Sequence, residues 1–243
     1  MKWYFIDSGA STGRFNMDYD LQLANNCNNN EGFFRVYRWH PYCISLGANQ
    51  KFEDINLSLA AQHNIDVVKR PTGGRAILHA EELTYSVVLP AETGLTSQEI
   101  YKKVSTSLVK GLRLYDNALS GVELEKTQPD FAGLLKDPSG VMCFASTARS
   151  EIKYKGLKLV GSAQRKMDKV ILQHGSILCG NYHLRLIDYL CIDEKRKEEF
   201  REEFFKKTTD LSSILNRKID YISLVEKLRL GFMEEWNVTL TDY

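Results

Sequence analysis

The sequence predicts an α+β fold with a mixed, mostly antiparallel sheet that is flanked by helices. Short runs rich in aromatic and β-branched residues recur along the chain and are separated by turn-forming residues, as is typical of strands. Longer segments carry apolar residues at helical spacing, most clearly at residues 97–114. A helix with one apolar stripe must bury that stripe, so we expect the helices to pack on the sheet.

The predicted strands lie before and after a pair of adjacent glycines, Gly73 and Gly74. The turn-forming pair Lys155-Gly156 predicts a β-hairpin between the segments on its two sides. The segments predicted as strands are residues 33–37, 42–46, 65–69, 83–89, 151–155, 157–163, 170–173 and 176–179.

The predicted helices have recognisable starts. Asn16 is expected to cap a short first helix, and Thr96 with Glu99 forms a T-x-x-E capping box for residues 97–114. We expect this second helix to cover one sheet that holds the strands on both sides of the adjacent glycines. Its apolar stripe consists of Ile100, Val104, Leu108 and Leu112.

Residues 193–243 are predicted to form a helical C-terminal segment. Residues 193–207 are densely charged, which indicates a helix with a solvated face. A final amphipathic helix is marked by Leu224, Val225, Leu228, Phe232 and Trp236. We expect residues 1–243 to form a single domain without an accessory domain.

Composition excludes several classes of function. Lys and Arg number 32 against 31 Asp and Glu, so no global field attracts nucleic acid or an anionic membrane surface. Neither a signal peptide nor a membrane span is visible. The five cysteines include no C-x-x-C pair, which predicts neither a zinc site nor a disulfide framework. We therefore expect a reduced, cytoplasmic setting and no metal site.

The segment R-P-T-G-G-R-A-I-L-H, from Arg70 to His79, is the first candidate for chemistry. Adjacent glycines let a ligand approach the backbone closely, and the flanking arginines favour an anion or a polar carbonyl. The alternative is a glycine-kinked hairpin whose arginines face solvent. The segment is neither a P-loop nor a G-x-G-x-x-G motif.

Three further residues have both a chemical and a structural interpretation. Lys158 alternates with Leu157 and Leu159, so on a strand it points to the opposite face. That face is either solvent or a cleft near the small residues at positions 161–163. Cys143 lies among apolar residues, where a cysteine is usually a small buried hydrophobe. His174 is either a hydrogen-bonded structural histidine or part of a site.

Taken together, these segments resemble the signatures of the lipoate–protein ligase and octanoyltransferase family. The string R-P-T-G-G-R-A-I-L-H is followed by E-L-T-Y-S, and K-L-V-G-S-A-Q and Q-H-G-S-I-L follow in the family's order. Asn16-Met17 with Asp20 and the segment 37–50 agree with the family's N-terminal region. The resemblance covers nearly the whole chain and implies a catalytic domain similar to class II aminoacyl-tRNA and biotin synthetases.

The resemblance also implies roles for individual residues. Lys158 matches the signature lysine that contacts the acyl carbonyl, and the Ala163 amide is placed to help stabilise an oxyanion. Arg70, Gly73, Gly74, Arg75 and His79 would line the polar mouth of an acyl tunnel. Its wall and the surroundings of the lysine would include Ala76, Ile77, Leu78, Gly161, Ser162 and His174.

Within the family, the residues favour a transferase over a ligase. Ligases activate free lipoate with ATP and Mg²⁺, and they carry Asn-Asp shortly before the lysine segment. This chain has Met142-Cys143-Phe144 there, which resembles the nucleophile segment of the octanoyltransferases typical of Gram-positive bacteria. The resemblance implies transfer of an octanoyl or lipoyl group through Cys143 without a cofactor; the alternative is an ATP-dependent ligase.

The resemblance implies protein partners. The donor would be an acyl carrier protein or another acyl-bearing protein. The acceptor would be a lysine of a lipoyl-carrier domain, as in the glycine cleavage H protein or the E2 subunit of a 2-oxoacid dehydrogenase. A more distant alternative is a non-catalytic protein that binds lipoyl carriers. A biotin–protein ligase is disfavoured because residues 70–75 do not match its G-R-G-R-x-G loop.

Overall fold

The computed structural model describes residues 1–125 and 151–243, which form two sheets and the helices that pack on them. The strands are β1 (Lys2–Ser11), β2 (Glu31–Trp39), β3 (Cys43–Leu46), β4 (Asp66–Lys69), β5 (Ile77–His79), β6 (Glu82–Pro90), β7 (Val122–Leu124), β8 (Ile152–Tyr154), β9 (Leu157–Met167), β10 (Val170–Leu178) and β11 (Leu240–Asp242). The helices are α1 (Gly13–Asn26), α2 (Leu57–Gln62), α3 (Ser97–Tyr115), α4 (Glu194–Lys207), α5 (Leu211–Leu215) and α6 (Tyr221–Trp236). Short 3₁₀ helices span Phe52–Asp54, Asn117–Gly121 and Tyr182–Tyr189.

The larger sheet is mixed and mostly antiparallel, as the sequence predicts. Its strand order within the described ranges is β11-β1-β2-β6-β10-β9-β8-β7. β1 pairs in parallel with β2 and β11, and the other neighbours in this order pair antiparallel. The predicted hairpin is confirmed as β8 and β9, with Lys155 and Gly156 in the turn at positive φ.

One face of the larger sheet is apolar and packs against α3 and α6. Leu83, Tyr85 and Val87 alternate along β6 and share one core with the apolar stripe of α3. The predicted stripe is confirmed: Ile100, Val104, Leu108 and Leu112 are each at most 1% exposed. Burying side chains of this kind stabilises a fold by about 1.5–3 kcal/mol each. The predicted capping box is also confirmed, since Thr96 and Glu99 each accept a hydrogen bond from the other's backbone N–H.

α3 and α6 cross at close range because each presents a glycine at the crossing. A Cβ added to Gly231 would lie 2.3 Å from the backbone nitrogen of Gly111. This approach brings Phe232 onto the sheet, where its ring stacks on Phe34 with centroids 4.5 Å apart. The helix pair therefore closes the apolar side of the sheet.

The strands on both sides of the adjacent glycines form a separate, smaller sheet. In this sheet β3 lies between β4, which is parallel to it, and β5, which is antiparallel. The prediction of one sheet beneath α3 is therefore wrong. The physical reason is that β3 and β5 carry apolar residues that need a second core. That core includes Ile44, Leu46, Leu78, Ile187 and Phe204.

Two local predictions also differ from the structure. α1 begins at Gly13 and is capped by Thr12, whose side chain accepts from Phe15 N. Asn16 lies inside the helix, fully buried. The two short strands predicted at residues 170–179 are one continuous strand, β10, because Gly175 lets the chain stay extended where a Cβ would lie 2.4 Å from the Gly161 carbonyl oxygen.

The C-terminal segment is helical, as predicted, up to its last strand. α4 buries Phe200 and Phe204 and keeps its charged residues on the outside. α6 buries Leu224, Leu228 and Phe232. β11 then pairs with β1 at the sheet edge. This strand is too short for its periodicity to be recognised in the sequence.

Within residues 1–125 and 151–243, the structure contains no helix with the length and apolar character that crossing a membrane requires.

Candidate active site

The face of the larger sheet opposite α3 is polar at its centre. In the antiparallel register of β6 and β10, Ser86 lies opposite His174 and Thr84 lies opposite Ser176. Paired residues point to the same face of a sheet, so their side chains meet there. Arg35 and Tyr37 of β2 extend the same face, opposite Ser86 and Thr84. All six side chains are at most 5% exposed.

The carboxylate of Asp20, on α1, is the centre of this polar face. Its Oδ1 accepts from Arg35 Nη1 at 2.7 Å and from the Ser86 hydroxyl at 2.8 Å. Its Oδ2 accepts from the Tyr37 hydroxyl at 3.0 Å and lies 3.6 Å from His174 Nδ1. Burial would raise the pKa of Asp20, but the contact with His174 and the charge of Arg35 outweigh it and lower this pKa. Asp20 is therefore ionised at neutral pH.

Each of the three guanidinium nitrogens of Arg35 has a hydrogen-bond partner. The guanidinium donates to the Asn16 backbone oxygen at 3.1 Å, to Asn16 Oδ1 at 2.8 Å and to the Ser8 hydroxyl at 2.9 Å. Its plane lies over the Tyr37 ring, 3.9 Å from the centroid. A buried charge is tolerated only with such partners, so these contacts fix how α1, β1 and β2 meet.

A narrow cavity of about 20 Å³ lies between this polar face and the smaller sheet. Residues of the larger sheet line one side of the cavity, and residues of β3 and β5 together with Arg70 line the other side. Ser176 Oγ lines this cavity, is fully buried and has no hydrogen-bond partner among the described residues. The lining residues are Met17, Tyr37, Trp39, Ser45, Arg70, Ile77, His79, Thr84, Gly161, Ser162, Ala163, His174, Gly175 and Ser176.

His174 connects Asp20 to the loop that carries the adjacent glycines. Its Nε2 lies 2.6 Å from the Thr72 hydroxyl. Burial lowers the pKa of His174, although the carboxylate of Asp20 opposes the shift. The neutral ring therefore carries its proton on Nδ1, facing the anionic Asp20, and Nε2 accepts the hydrogen bond from Thr72.

His79 stands in a similar arrangement on the other wall. Its Nδ1 lies 2.8 Å from Glu82 Oε1, and its Nε2 lies 2.7 Å from the Ser45 hydroxyl. The Trp39 ring stacks on the imidazole with centroids 4.1 Å apart. Two histidines, each between a carboxylate and a hydroxyl, thus face one cavity.

Residues 70–75, which we call the Gly-Gly loop, are held by hydrogen bonds within the loop and by hydrogen bonds to residues outside it. The buried Arg70 side chain donates to the Ser45, Gly73 and Arg75 carbonyl oxygens at 2.8, 3.1 and 2.6 Å. Ala48 N donates to the Thr72 carbonyl oxygen at 3.0 Å. The loop passes so close to Gly47 that a Cβ there would lie 1.9 Å from the carbonyl oxygen of Gly74.

The structure brings half of the predicted site residues together around the cavity. Those in its lining are Arg70, Ile77, His79, Gly161, Ser162, Ala163 and His174. Gly73 and Gly74 are exposed and Arg75 is half-buried. These three residues lie in the sequence between the lining residues Arg70 and Ile77, but they are not part of the described lining. Ala76 and Leu78 alternate with the lining residues of β5 and pack into the second core instead.

Lys158 is fully buried, so the interpretation of this lysine as solvent-facing is wrong. Its Nζ lies 2.8 Å from Glu151 Oε1. The described lining includes the small residues that follow Lys158 on β9 but not Lys158 itself. The contact of Lys158 with the acyl carbonyl, which the resemblance implies, stays a prediction. Cys143 lies outside the described residues.

Sequence reasoning missed several lining residues that come from other strands. The motifs do not predict Trp39, Ser45 and Ser176 as site residues, and they include Thr72 without giving it a role. The alternation of Glu82, Thr84 and Ser86 with apolar residues was a readable signal of a polar sheet face. Within the two described ranges, no cluster of three or more His, Cys, Asp and Glu side chains is placed to hold a metal ion.

Comparison with known proteins identifies the family. The family model of the lipoyl protein ligase A/B catalytic domain matches residues 12–233. The chain belongs to this family.

Curated members of the family resemble this catalytic domain over almost its full length. The octanoyltransferase LipM of Geobacillus kaustophilus is 34% identical over 251 residues, which cover 99% of this chain and 88% of the relative. The LipM of Clostridioides difficile is 34% identical, with 100% and 92% covered. The LipM of Bacillus subtilis is 32% identical, with 99% and 88% covered.

Solved structures confirm the fold of the catalytic domain. Lipoate–protein ligase A bound with ATP superposes with a TM-score of 0.78 at 16% identity, covering 100% of this chain and 89% of that one. The bipartite lipoate–protein ligase of Thermoplasma acidophilum superposes with a TM-score of 0.78 at 17% identity, covering 100% and 87%. The α+β class, with a mostly antiparallel sheet flanked by helices, is therefore that of the family.

Asp20→Asn should strongly destabilise this domain. The substitution leaves the buried guanidinium of Arg35 without a carboxylate, which typically costs about 3–5 kcal/mol. Asp18→Asn is the matched control, because Asp18 lies on the same helix, exposed, in an ion pair with Arg14; its effect should stay within about 0.5 kcal/mol. Urea unfolding measures both free energies, and equal values for the two variants would contradict the role of Asp20.

Acid should reduce the stability of the domain before its carboxylates titrate. Burial lowers the pKa of His174 and His183 below the ordinary 6.5. The unfolded chain then binds protons that the folded chain does not, so the free energy of unfolding falls as pH falls through this range. The slope is at most about 1.4 kcal/mol per pH unit for each proton.

Urea unfolding between about pH 7.5 and about pH 5.5 measures this slope. Histidine NMR, assigned with His174→Gln and His183→Gln, should place both imidazole pKa values below 6.5. A free energy of unfolding that is constant or rises as pH falls across this window would show that folding does not lower the pKa values of these two histidines.

Proposed function

We propose that this chain is an octanoyltransferase of protein lipoylation. It takes an octanoyl group from a carrier-protein thioester and passes it to a lysine of a lipoyl-carrier domain. The observation that carries the proposal is the whole-length similarity to octanoyltransferases at 34% identity, together with a cavity at the Gly-Gly loop. The family's other activity, ATP-dependent ligation, is the competing outcome of the experiment below.

The cavity suits an unbranched acyl group that ends in a carbonyl. Met17, Trp39 and Ile77 offer apolar surface to the alkyl chain. The polar groups of both histidines and of Arg70 in the lining are hydrogen-bonded to protein partners. Because the cavity is narrow, we expect its lining side chains to move apart when the octanoyl chain enters.

Cys143 is the proposed nucleophile. Its thiolate attacks the donor thioester carbonyl, the carrier thiolate leaves and takes up a proton, and an octanoyl–cysteine thioester forms. The acceptor lysine amine then attacks this carbonyl, loses a proton and forms an amide, and the Cys143 thiolate is released. Exchange between thioesters is nearly isoenergetic and the amide is more stable, so neither ATP nor a metal is needed.

Lys158 and the backbone beside the cavity would stabilise the charge that develops in both steps. An ammonium favours the thiolate over the thiol and then the oxyanion over the carbonyl. The amide of Ala163, which lines the cavity, is proposed to contribute a hydrogen bond to the same oxyanion. Gly73, Gly74 and Arg75 are proposed to border the mouth through which the acyl group enters.

The proposed setting is cytoplasmic, and the proposed unit is the single domain 1–243. An acyl carrier protein would supply the octanoyl group. The H protein of glycine cleavage or the E2 subunit of a 2-oxoacid dehydrogenase would accept it. Similarity to octanoyltransferases supports acyl transfer, and we propose these donor and acceptor proteins on that basis.

Incubation of the enzyme with an octanoyl-carrier thioester, without ATP, should add one octanoyl mass to the chain. Intact mass spectrometry should detect this adduct in the native enzyme and lose it in Cys143→Ala. Cys179→Ala is the control, because Cys179 is buried among apolar residues and burial raises its thiol pKa. A Cys143→Ala enzyme that attaches lipoate when given ATP and Mg²⁺ would establish the ligase instead.

Lys158→Met should lower octanoyl transfer by at least about 10²-fold, as removal of an electrostatic stabiliser does. Methionine keeps the volume but removes the charge. Lys166→Met on the same strand is the control, because Lys166 is exposed. Circular dichroism must show both variants folded, since Lys158→Met also leaves Glu151 without its ion-pair partner. Native turnover by folded Lys158→Met would remove Lys158 from the mechanism.

A further inference from the structure

The Gly-Gly loop is tied to the rest of the molecule by contacts of two kinds. Those of the first kind hold backbone oxygens: Arg165 donates to the Pro71 carbonyl at 2.7 Å and Ala48 N donates to the Thr72 carbonyl, while Arg70 binds the Gly73 and Arg75 carbonyls from within the loop. The bond from the Thr72 hydroxyl to His174 Nε2 is of the second kind, because it links a loop side chain to the buried polar face of the larger sheet.

The bond between Thr72 and His174 has a defined direction. Asp20 is an anion and faces Nδ1 of His174, so the imidazole proton lies on that side. Nε2 is then an acceptor, and the Thr72 hydroxyl is its donor at 2.6 Å. Thr72 and Asp20 are both fully buried, so water does not compete for this bond.

We propose that Asp20, His174 and Thr72 form a positioning relay that seats the Gly-Gly loop on the acyl-binding cavity. The inference rests on the proposed function, because it assigns the loop to the acyl donor. Thr72 is not in the described lining of the cavity, so its hydroxyl is a positioning group and not a nucleophile. The Asp20 carboxylate orients the His174 ring, and the ring holds the Thr72 hydroxyl. Thr72 directly precedes Gly73, so this bond positions the adjacent glycines.

The relay predicts a specific kinetic defect. Without the hydroxyl, the loop loses its side-chain link to the polar face of the larger sheet, while its backbone contacts remain, including the one with Arg165 of β9. A misplaced loop should weaken binding and orientation of the octanoyl donor, but it should leave the acceptor domain's docking unaffected. An enzyme that is merely less folded would instead show a lower kcat with both KM values unchanged.

Thr72→Val and Thr72→Ser are the matched variants. Valine has the shape of threonine without the hydroxyl, and serine restores the hydroxyl. Thr72→Val should raise the KM for the octanoyl donor and lower kcat/KM for the donor by about 10- to 100-fold. The acceptor KM should stay at its native value, and Thr72→Ser should recover most of the activity. Thr106→Val is the control, because Thr106 loses only a bond to Lys102 O on the surface of α3.

Nitrogen-15 NMR of protein with labelled histidines reports the protonation of the two His174 ring nitrogens and requires no catalytic turnover. In the native chain, Nδ1 of His174 should be protonated and Nε2 should be an unprotonated acceptor, and the Nε2 signal should shift in Thr72→Val and return in Thr72→Ser. A protonated Nε2, an unchanged donor KM in Thr72→Val, or equal defects in the valine and serine variants would overturn the relay. A native enzyme that transfers no octanoyl group would refute the proposed function, whereas the NMR result would still decide the relay.

Discussion

The carboxylate of Asp20 is the constraint on which the polar half of the molecule depends. It is fully buried, and its partners come from different strands: Arg35 and Tyr37 from β2, Ser86 from β6 and His174 from β10. A buried charge that loses one such partner is costly, so the four contacts must form together. They fix α1 against the sheet, and this placement brings Met17 of α1 to the cavity.

The two faces of the larger sheet differ in character: one packs into the apolar core, and the other lines the cavity. One face of β6 and β10 carries Tyr85, Val87 and Ile171 into the core beneath α3 and α6. The other face carries His174 and Ser176, which border the cavity. Because side chains alternate along a strand, the apolar packing of one face sets the register that aligns the polar residues of the other. The proposed acyl cavity therefore depends on an apolar core that lies on the opposite face of the sheet.

The sequence allowed the elements to be predicted better than their arrangement. Periodicity and the capping box gave α3, and the Lys155-Gly156 turn gave the β8–β9 hairpin, because these signals are local. The division into two sheets was missed, since it depends on which apolar faces meet, and no local pattern encodes that. Within the site, motif residues such as Arg70 and His79 were predicted, but Ser45 and Trp39 come from strands whose pairing brings them there. Lys158 was identified by its motif, whereas its pairing with Glu151 across a hairpin required the structure.

The most direct test of this account is a crystal structure of the chain with a non-hydrolysable octanoyl-pantetheine amide. The alkyl chain should lie between the polar face of the larger sheet and the smaller sheet, in contact with Ile77 and Trp39, with the amide carbonyl beside the Gly-Gly loop. The Asp20–His174–Thr72 contacts should be intact in that complex. An alkyl chain bound elsewhere, such as in the surface groove lined by Tyr19 and Tyr243, would contradict the assignment of the cavity.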